Sequence, residues 1–162
     1  MIDFTPQIRA AQPDDAGGIA DLIVRLGTFQ HHFEGLSTDA IQQRVGKHLN
    51  SCLADNSHTV LVAVAAPDRI VGYAAVHWLP YLFMPGPEGF VSELFVDDAA
   101  RGQGIGTQLL EIVKQEAETR SCARLSLINI RDRESYLRGF YAKLGWQERS
   151  DAANFIFRMR RS

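Results

Sequence analysis

Apolar residues recur along the chain with two periods, one helical and one alternating, and the changes between them outline the elements. Helical spacing predicts a helix that Pro13 opens and Gly27 ends, and a second helix capped by Ser37 or Thr38. Strand-like runs predict a strand at "QIRAA", a hairpin of "HTVLVAVAA" and "RIVGYAAVHW" around a Pro-Asp turn, and a strand at "FVSELFV".

The second half of the chain alternates between helical and strand patterns. A helix is predicted after "RGQGIG", a strand at "ARLSLI", a single helix over "ESYLRGFYAKLG" with Gly145 as its C-cap, and a final strand at "NFIFRMR". The segment "WQER" is a candidate for a further short strand. The order βααβββαβαβ indicates a mixed α/β fold in one domain over residues 1–162.

Composition excludes several functional classes. With 46% hydrophobic and 22% charged residues the chain is typical of a soluble globular protein. A net charge of −2 argues against a nucleic-acid partner. The longest apolar run, Val60 to Ala66, is too short to cross a membrane, and no signal peptide is visible at the N-terminus. We therefore expect a cytoplasmic protein with neither a membrane nor a nucleic-acid partner.

The metal-ligating residue types are too dispersed to predict a metal site. Cys52 and Cys122 lie in separate periodic segments, so we expect reduced, packed thiols. His31 and His32 are adjacent, and no acidic or thiol residue is spaced to complete a site with them. We expect no metal.

Three alternating glycines follow Arg101, where the strand "FVSELFV" ends and a helix begins; they are Gly102, Gly104 and Gly106. Their spacing is neither that of a dinucleotide-binding turn nor that of a nucleotide P-loop. The first N–H groups of a helix lack internal partners and carry partial positive charge, and glycines let a ligand approach them closely. The pattern favours a diphosphate site over a simple tight turn.

Two segments resemble the GNAT N-acetyltransferase superfamily. "FVSELFVDDAARGQGIGTQLLEIV" is similar to its acyl-CoA-binding segment, whose pattern Arg/Gln-x-x-Gly-x-Gly/Ala is matched by Arg101, Gly104 and Gly106. "SYLRGFYAKLGWQER" resembles a later helix and strand of the family, with matches at Tyr141, Gly145 and Trp146. The resemblance implies a mostly antiparallel central sheet that splays in the middle, flanked by about four helices. It also implies acetyl transfer from acetyl-CoA to a primary amine by direct attack in a ternary complex.

The resemblance further implies which residues bind the acyl donor. The main chain of the strand before the loop would lie along the pantetheine arm, at Leu94, Phe95 and Val96. The loop itself would hold the diphosphate, through Arg101, Gly102, Gln103, Gly104, Ile105 and Gly106. The family often has a CoA-contacting asparagine where this chain has Glu134, and we expect the adjacent Ser135 to contribute instead.

Two residues are candidates for catalysis. A lysine-like amine has a pKa of about 10.4, so it needs help to lose a proton near pH 7. Glu93 lies near the expected position of the thioester and would act as a base, relay the proton through water, or only bind a cationic substrate. Tyr141 would hydrogen-bond to the thiolate leaving group, although its place on an apolar helix face also suits a core tyrosine.

The acceptor is the least determined partner. In this fold it would lie between the loop after the first helix and the loop before the strand "FVSELFV", with candidate contacts at Phe29, His32, Phe33, Glu34 and Tyr81. The carboxylates of Glu34, Glu88 and Glu93 favour a small cationic acceptor. The alternatives are a protein or peptide N-acetyltransferase and a non-catalytic acyl-CoA-binding module. The apolar loop around Tyr81 is alternatively a homodimer surface.

Overall fold

The computed structural model describes residues 5–65 and 68–160. Pro67 of the expected Pro-Asp turn lies outside the described residues. The chain divides into two compact units, Met1–Ile128 and Asn129–Ser162. The expectation of one domain over the whole chain stays a prediction.

The first unit has strands β1 (Gln7–Ala10), β2 (His58–Ala65), β3 (Arg69–Leu79), β4 (Glu88–Val96) and β5 (Arg124–Leu127), and helices α1 (Ala16–Leu26), α2 (Thr38–Leu53) and α3 (Ile105–Thr119). The predicted end of α1 and the predicted cap of α2 are confirmed, whereas Pro13 opens a 3-10 turn, Pro13–Asp15, that precedes α1. Gly27 takes the left-handed conformation, with φ of 67°, at the end of α1. The Ser37 hydroxyl caps α2 by accepting a hydrogen bond from the Ala40 amide at 3.2 Å.

The five strands form one open, mixed sheet in the order β1-β2-β3-β4-β5. Strands β1 to β4 pair antiparallel, whereas β5 runs parallel to β4. The β4–β5 pairing covers only Glu88 to Val91 of β4. Residues 92–96 of β4 therefore extend past the end of β5, and the sheet splays open there.

Helices cover both faces of this sheet. Helices α1 and α2 contribute Leu22 and Leu49 to a buried cluster with Val62 and Tyr73. On α3, Ile105, Leu109, Leu110 and Val113 are almost fully buried. Along the last part of β4 the faces alternate as predicted. The Phe95 ring packs against Tyr73. The side chains of Val96 and of Ile105 on α3 both lie next to Gly72 of β3.

A β-bulge interrupts the pairing of β3 with β4. Ala75 pairs with Glu93 and the next residue, Val76, pairs with Val91, so Ser92 is the extra residue. A bulge of this kind redirects the side chains around it and increases the local twist. It therefore determines where the Glu93 carboxylate points.

The second unit contains two helices of four residues each, α4 (Glu134–Leu137) and α5 (Phe140–Lys143). The prediction of one continuous helix over this segment was wrong, because Gly139 has a φ of 67° and breaks it.

The predicted strands at "WQER" and "NFIFRMR" were also wrong. Residues 146–160 have no regular secondary structure, and Phe155 and Phe157 are exposed. Alternation indicates an amphipathic segment, but a strand also needs a neighbour for its backbone hydrogen bonds. No strand of the described chain pairs with this segment.

None of the helices within residues 5–65 and 68–160 combines the length and the apolar character needed to cross a bilayer.

Candidate active site

The glycine loop connects β4 to α3 through a short 3-10 turn at Asp98–Ala100. Gly102 and Gly104 both adopt the left-handed conformation, with φ of 78° and 76°. No atom lies within 4 Å of where a Cβ on Gly102 would be, so its backbone conformation, not crowding, requires glycine there. Gly106 lies inside α3 without a positive φ, so the backbone does not require a glycine at that position.

Donor groups are concentrated at the start of α3. The N–H groups of residues 102–107 have no hydrogen-bond acceptor within the described residues, and the first bond of the helix runs from the Gln108 amide to the Gly104 carbonyl at 2.9 Å. Helix α3 has 15 residues, so its dipole adds partial positive charge at this end. The loop can therefore bind an anion through its main chain.

Arg101 stands beside these amides and pairs with Asp98 at 2.8 Å. Both side chains are exposed, and an exposed ion pair of this kind is worth less than about 1 kcal/mol. A phosphate can therefore compete with Asp98 for the guanidinium at little cost.

Asp97 fixes the end of β4 from which the loop departs, a role the sequence did not suggest. Its carboxylate is buried and accepts hydrogen bonds from Arg25 at 3.2 Å, Arg69 at 2.8 Å and the Ala99 amide at 3.2 Å. Burial alone would raise its pKa, but the amide and the two guanidinium groups outweigh burial and lower the pKa of Asp97 below its usual value.

The splayed half of β4 offers a second main-chain surface. Its inner edge pairs with β3, where Leu94 lies opposite Ala74. Its outer edge extends beyond β5, so within the described first unit no strand pairs with that edge from Ser92 to Val96. The geometry leaves backbone groups there for an extended, amide-containing ligand.

Glu93 lies on this half of β4. Solvent reaches its side chain, yet the surrounding protein partly desolvates the carboxyl group. Burial raises the pKa of Glu93, while a hydrogen bond donated by the Tyr73 hydroxyl and the electrostatic influence of His48 act in the opposite direction. Desolvation makes this carboxylate a stronger base than a free one.

Cys52 completes the surroundings of Glu93. It lies on α2 one turn after His48, and burial, followed by the charge of Glu93, raises the pKa of its thiol. Sequence analysis did not select Tyr73, His48 or Cys52. The helical spacing places only Cys52 of the three on an apolar helix face, and the packing of α2 on the sheet brings them to Glu93.

An aromatic wall adjoins the carboxylate. The Phe29 ring packs edge-on against Phe95 with centroids 5.0 Å apart. Arg44 of α2 stabilises the turn that follows Phe29. It donates a hydrogen bond to the His32 carbonyl at 2.7 Å, and its guanidinium lies 5.6 Å from the Phe33 ring centroid. The structure thus places Phe29 beside the strand of Glu93 and fixes His32 and Phe33 against α2.

The other predicted acceptor residues lie elsewhere. Glu34 is exposed in the turn before α2. Tyr81 lies in the loop after β3, where its ring packs on Phe83 at 5.6 Å. Glu88 was wrongly expected to attract a cationic acceptor, because it is 4% exposed and its carboxylate is bound by Arg124 and Ser126.

In the second unit Tyr141 is half-buried against Trp146, with ring centroids 6.0 Å apart. Burial raises the pKa of Tyr141, partly opposed by the charge of Arg133, so the phenol is protonated at neutral pH. Ser135, which was predicted to bind the acyl donor, donates a hydrogen bond from its hydroxyl to the Asn129 side chain at 3.1 Å.

Comparison with known proteins gives a family match that includes the matching residues of both sequence motifs, from Arg101 to Trp146. The model of the acetyltransferase (GNAT) family matches residues 26–146. Aminoglycoside N(6')-acetyltransferase type 1 of Stenotrophomonas maltophilia is 32% identical over 130 residues, which cover 78% of this chain and 76% of that protein. Glucosamine 6-phosphate N-acetyltransferase 1 of Oryza sativa subsp. japonica is 36% identical over 102 residues, covering 62% of this chain and 59% of that protein.

Solved structures agree on the fold. A transcriptional regulator from Bacillus halodurans C-125 superposes with a TM-score of 0.80 at 24% identity, covering 94% of this chain and 99% of the other. The ribosomal-protein-alanine N-acetyltransferase of Brucella melitensis biovar Abortus 2308 superposes with a TM-score of 0.68 at 22% identity, covering 94% and 98%.

Proposed function

The chain belongs to the acetyltransferase (GNAT) family, and from this premise we propose that it transfers the acetyl group of acetyl-CoA to a primary amine of a small cationic acceptor. One observation carries the proposal. A desolvated carboxylate at Glu93 and a set of unpartnered amides at residues 102–107 lie along one continuous strand, loop and helix. The same stretch of chain can thus hold the donor and receive a proton from the acceptor.

The donor is held mainly by the backbone. The amides at the start of α3 and the Arg101 side chain would bind the diphosphate, while the open edge of β4 at Leu94 to Val96 would pair with the pantetheine amides. Gly106 supports this role, because its backbone conformation does not require glycine and a residue without a Cβ lets a ligand approach the start of the helix closely.

Direct attack by the amine fits the surroundings of Glu93. The raised pKa of Cys52 keeps its thiol protonated, which disfavours an acetyl-cysteine intermediate. The carboxylate of Glu93 would remove a proton from the ammonium group, and the amine nitrogen would then attack the thioester carbon. Tyr141, protonated because burial raises its pKa, would donate a hydrogen bond to the departing thiolate.

The character of the acceptor follows from the walls of the site. A carboxylate beside the aromatic rings of Phe29 and Phe95 suits an alkyl or sugar ammonium group. The relatives support a small acceptor, since their names specify an aminoglycoside, glucosamine 6-phosphate and, for a Bos taurus protein 27% identical over 154 residues, thialysine. We place the reaction in the cytoplasm, where acetyl-CoA is available.

The test is thiol release from acetyl-CoA in the presence of a panel of amines, comprising amino sugars, polyamines, amino acids and a peptide with a free N-terminus. We expect turnover with one of the small-molecule classes and a loss of turnover in Glu93→Gln. Turnover with the peptide alone would replace this acceptor class with a protein substrate. Acetyl-CoA binding without turnover on any amine would favour a non-catalytic module.

A further inference from the structure

We propose that the acceptor amine carries hydroxyl groups and that His58 and His77 bind these groups beside Glu93. The proposal rests on the proposed acetyl transfer and narrows the acceptor class for the same site to an amino sugar without a phosphate group, or a similar polyhydroxylated amine. It arises from side chains at the open end of the sheet face that carries Glu93. These side chains form the histidine patch, which consists of His58, His77, Phe90 and Ser92.

The histidine patch shares a face of the sheet with Glu93. Ala75 of β3 pairs with Glu93, and two residues later His77 pairs with Phe90 of β4. On its other side His77 pairs with His58 of β2. Cross-strand partners project to the same face, and so do residues two apart on one strand. The patch therefore begins about 7 Å from the position of Glu93 along the strand direction, within the reach of one small acceptor.

This face is buried at Ala75 and opens towards the histidine patch. Ala75 belongs to the buried cluster that includes residues of α1 and α2. Helix α2 ends at Leu53, and the chain turns from there into β2 at His58. His58 and His77 are half-buried, and Ser92 is exposed. An acceptor bound at Glu93 can therefore contact the patch from solvent.

Hydrogen bonds determine which nitrogen of the His77 ring is available. The Ser92 hydroxyl donates to the Ala75 carbonyl at 3.3 Å, so Nε2 of His77 donates to the Ser92 oxygen, 2.9 Å away. Burial, and then the charge of His58, lower the pKa of His77, so its ring is neutral at pH 7. In a neutral ring whose Nε2 carries the proton, Nδ1 is a hydrogen-bond acceptor.

His58 is oriented in the same way. The Ser57 hydroxyl donates to the carboxylate of Asp55, so Nδ1 of His58 donates to the Ser57 oxygen, 2.6 Å away. In the neutral ring Nε2 of His58 is then a hydrogen-bond acceptor. Neither this nitrogen nor Nδ1 of His77 has a hydrogen-bond partner within the described residues, and solvent reaches both.

Two neutral hydrogen-bond acceptors select for a group that donates. A hydroxyl group can donate to an imidazole nitrogen, whereas a phosphate dianion has no proton to donate. Among the residues that the structure describes, no lysine or arginine hydrogen-bonds to the patch, and the carboxylates of Asp55 and Glu93 repel an anion. A second ammonium group is better matched by a carboxylate than by two neutral rings.

An aromatic ring adds apolar surface to the patch. The Phe90 ring lies beside that of His77, with centroids 6.3 Å apart. Ligand sites commonly combine such apolar surface with a few polar groups that fix the orientation of the ligand. The C–H groups of a sugar ring can pack on Phe90 while its hydroxyl groups reach the two imidazoles.

Steady-state kinetics of thiol release with glucosamine, its phosphate ester, putrescine and cyclohexylamine test the proposal. We expect the wild type to use glucosamine with a kcat/KM at least about tenfold above that of the phosphate ester. His77→Phe and His58→Phe should each raise KM for glucosamine about three- to tenfold with little change in kcat, because each removes one hydrogen bond to the substrate. KM for cyclohexylamine, which has no hydroxyl group, should not change.

Ser92 is a positioning residue in this account, because its hydroxyl orients the His77 ring. Ser92→Ala should raise KM for glucosamine by a smaller factor than His77→Phe, and Ser92→Thr, which keeps the hydroxyl, should restore it. Ser51→Ala is the matched control, since this exposed serine of α2 donates only to the Lys47 carbonyl of its own helix.

Equal losses with glucosamine and cyclohexylamine would mean that the two histidines only support the fold, and they would overturn the proposal. An unchanged KM for glucosamine in both histidine variants would overturn it as well. So would a wild type that prefers the phosphate ester, putrescine or cyclohexylamine to glucosamine. Each of these results leaves the proposed acetyl transfer in place, whereas no thiol release by the wild type with any amine would remove both.

Discussion

The Tyr73 hydroxyl donates a hydrogen bond to the Glu93 carboxylate across strands β3 and β4. Tyr73 is 3% exposed, and burial, together with the charge of Glu93 and this hydrogen bond, raises the pKa of its phenol. The phenol therefore stays protonated and serves as a fixed donor. It holds the proposed base in place while it limits how far burial raises the pKa of that base.

Replacement of Tyr73 by phenylalanine should move the acidic limb of the kcat/KM profile to higher pH. The hydrogen bond lowers the pKa of Glu93, so its loss raises that pKa, and the carboxylate is then ionised only at higher pH. The pH profile of thiol release measures the shift. Tyr136→Phe removes a hydroxyl that donates to Glu148 in the second unit and should leave the profile unchanged. An acidic limb that does not move in Tyr73→Phe would exclude Glu93 as the titrating base.

Glu93→Gln should lower kcat by about 10²-fold or more while it stabilises the fold at neutral pH. The folded-state pKa of Glu93 is raised, so folding disfavours its ionised form, and the cost is present at pH values above that pKa. Glu93→Gln removes the charge and with it this cost. The gain in stability over the wild type should therefore disappear as the pH falls below the pKa of Glu93 in the unfolded chain. Thermal unfolding at pH 7 and at pH of about 4 measures it. Glu118→Gln, on the exposed face of α3, is the matched control.

The two glycines at the start of α3 should respond differently to alanine. Gly104 has a φ of 76°, so Gly104→Ala should cost about 1–2 kcal/mol of stability. Gly106 has no positive φ, so Gly106→Ala should leave stability unchanged or raise it by up to about 0.5 kcal/mol, yet weaken acetyl-CoA binding. Urea unfolding and calorimetric titration separate the two effects. Unaltered affinity in Gly106→Ala would show that no ligand approaches this position.

Asp97→Asn should destabilise the fold by about 1–2 kcal/mol at pH 7, because it removes the charge that Arg25 and Arg69 share. The folded-state pKa of Asp97 is lowered, so its contribution is present above the unfolded pKa and is lost as the pH falls through the folded one. The difference between wild type and variant should therefore shrink in acid. Urea unfolding at several pH values measures it, with the exposed Asp132→Asn as control. A difference that is constant with pH would mean that shape, not charge, matters at this position.

The sequence predicted most of the first unit because its signals are local. Gly27 and Ser37 end and begin helices through their own backbone and side-chain chemistry. The loop after Arg101 was also recognisable, because glycines at this spacing between a strand and a helix favour an anion-binding loop over a simple turn. The bulge at Ser92 has no such signature, and the partners of Glu93 depend on strand register and on the packing of α2.

The errors have the same origin. Gly139 takes a left-handed conformation that helical periodicity does not reveal, so one predicted helix became two. The alternation from Asn154 to Arg160 predicted a strand, but alternation does not supply a pairing partner. Glu88 was read as an exposed acid, whereas the parallel pairing of β4 with β5 places Arg124 directly opposite it.

Calorimetric titration of acetyl-CoA into the purified protein tests the central claim most directly. Beside the wild type we would titrate Arg101→Glu and, as a matched charge reversal on the exposed face of α2, Lys47→Glu. We expect saturable binding by the wild type and by Lys47→Glu, and at least about tenfold weaker binding by Arg101→Glu, because a charge-assisted contact to phosphate is lost and a repulsive charge is added. An absence of binding by the wild type, or equal binding by all three proteins, would contradict the assignment of the glycine loop as the donor site.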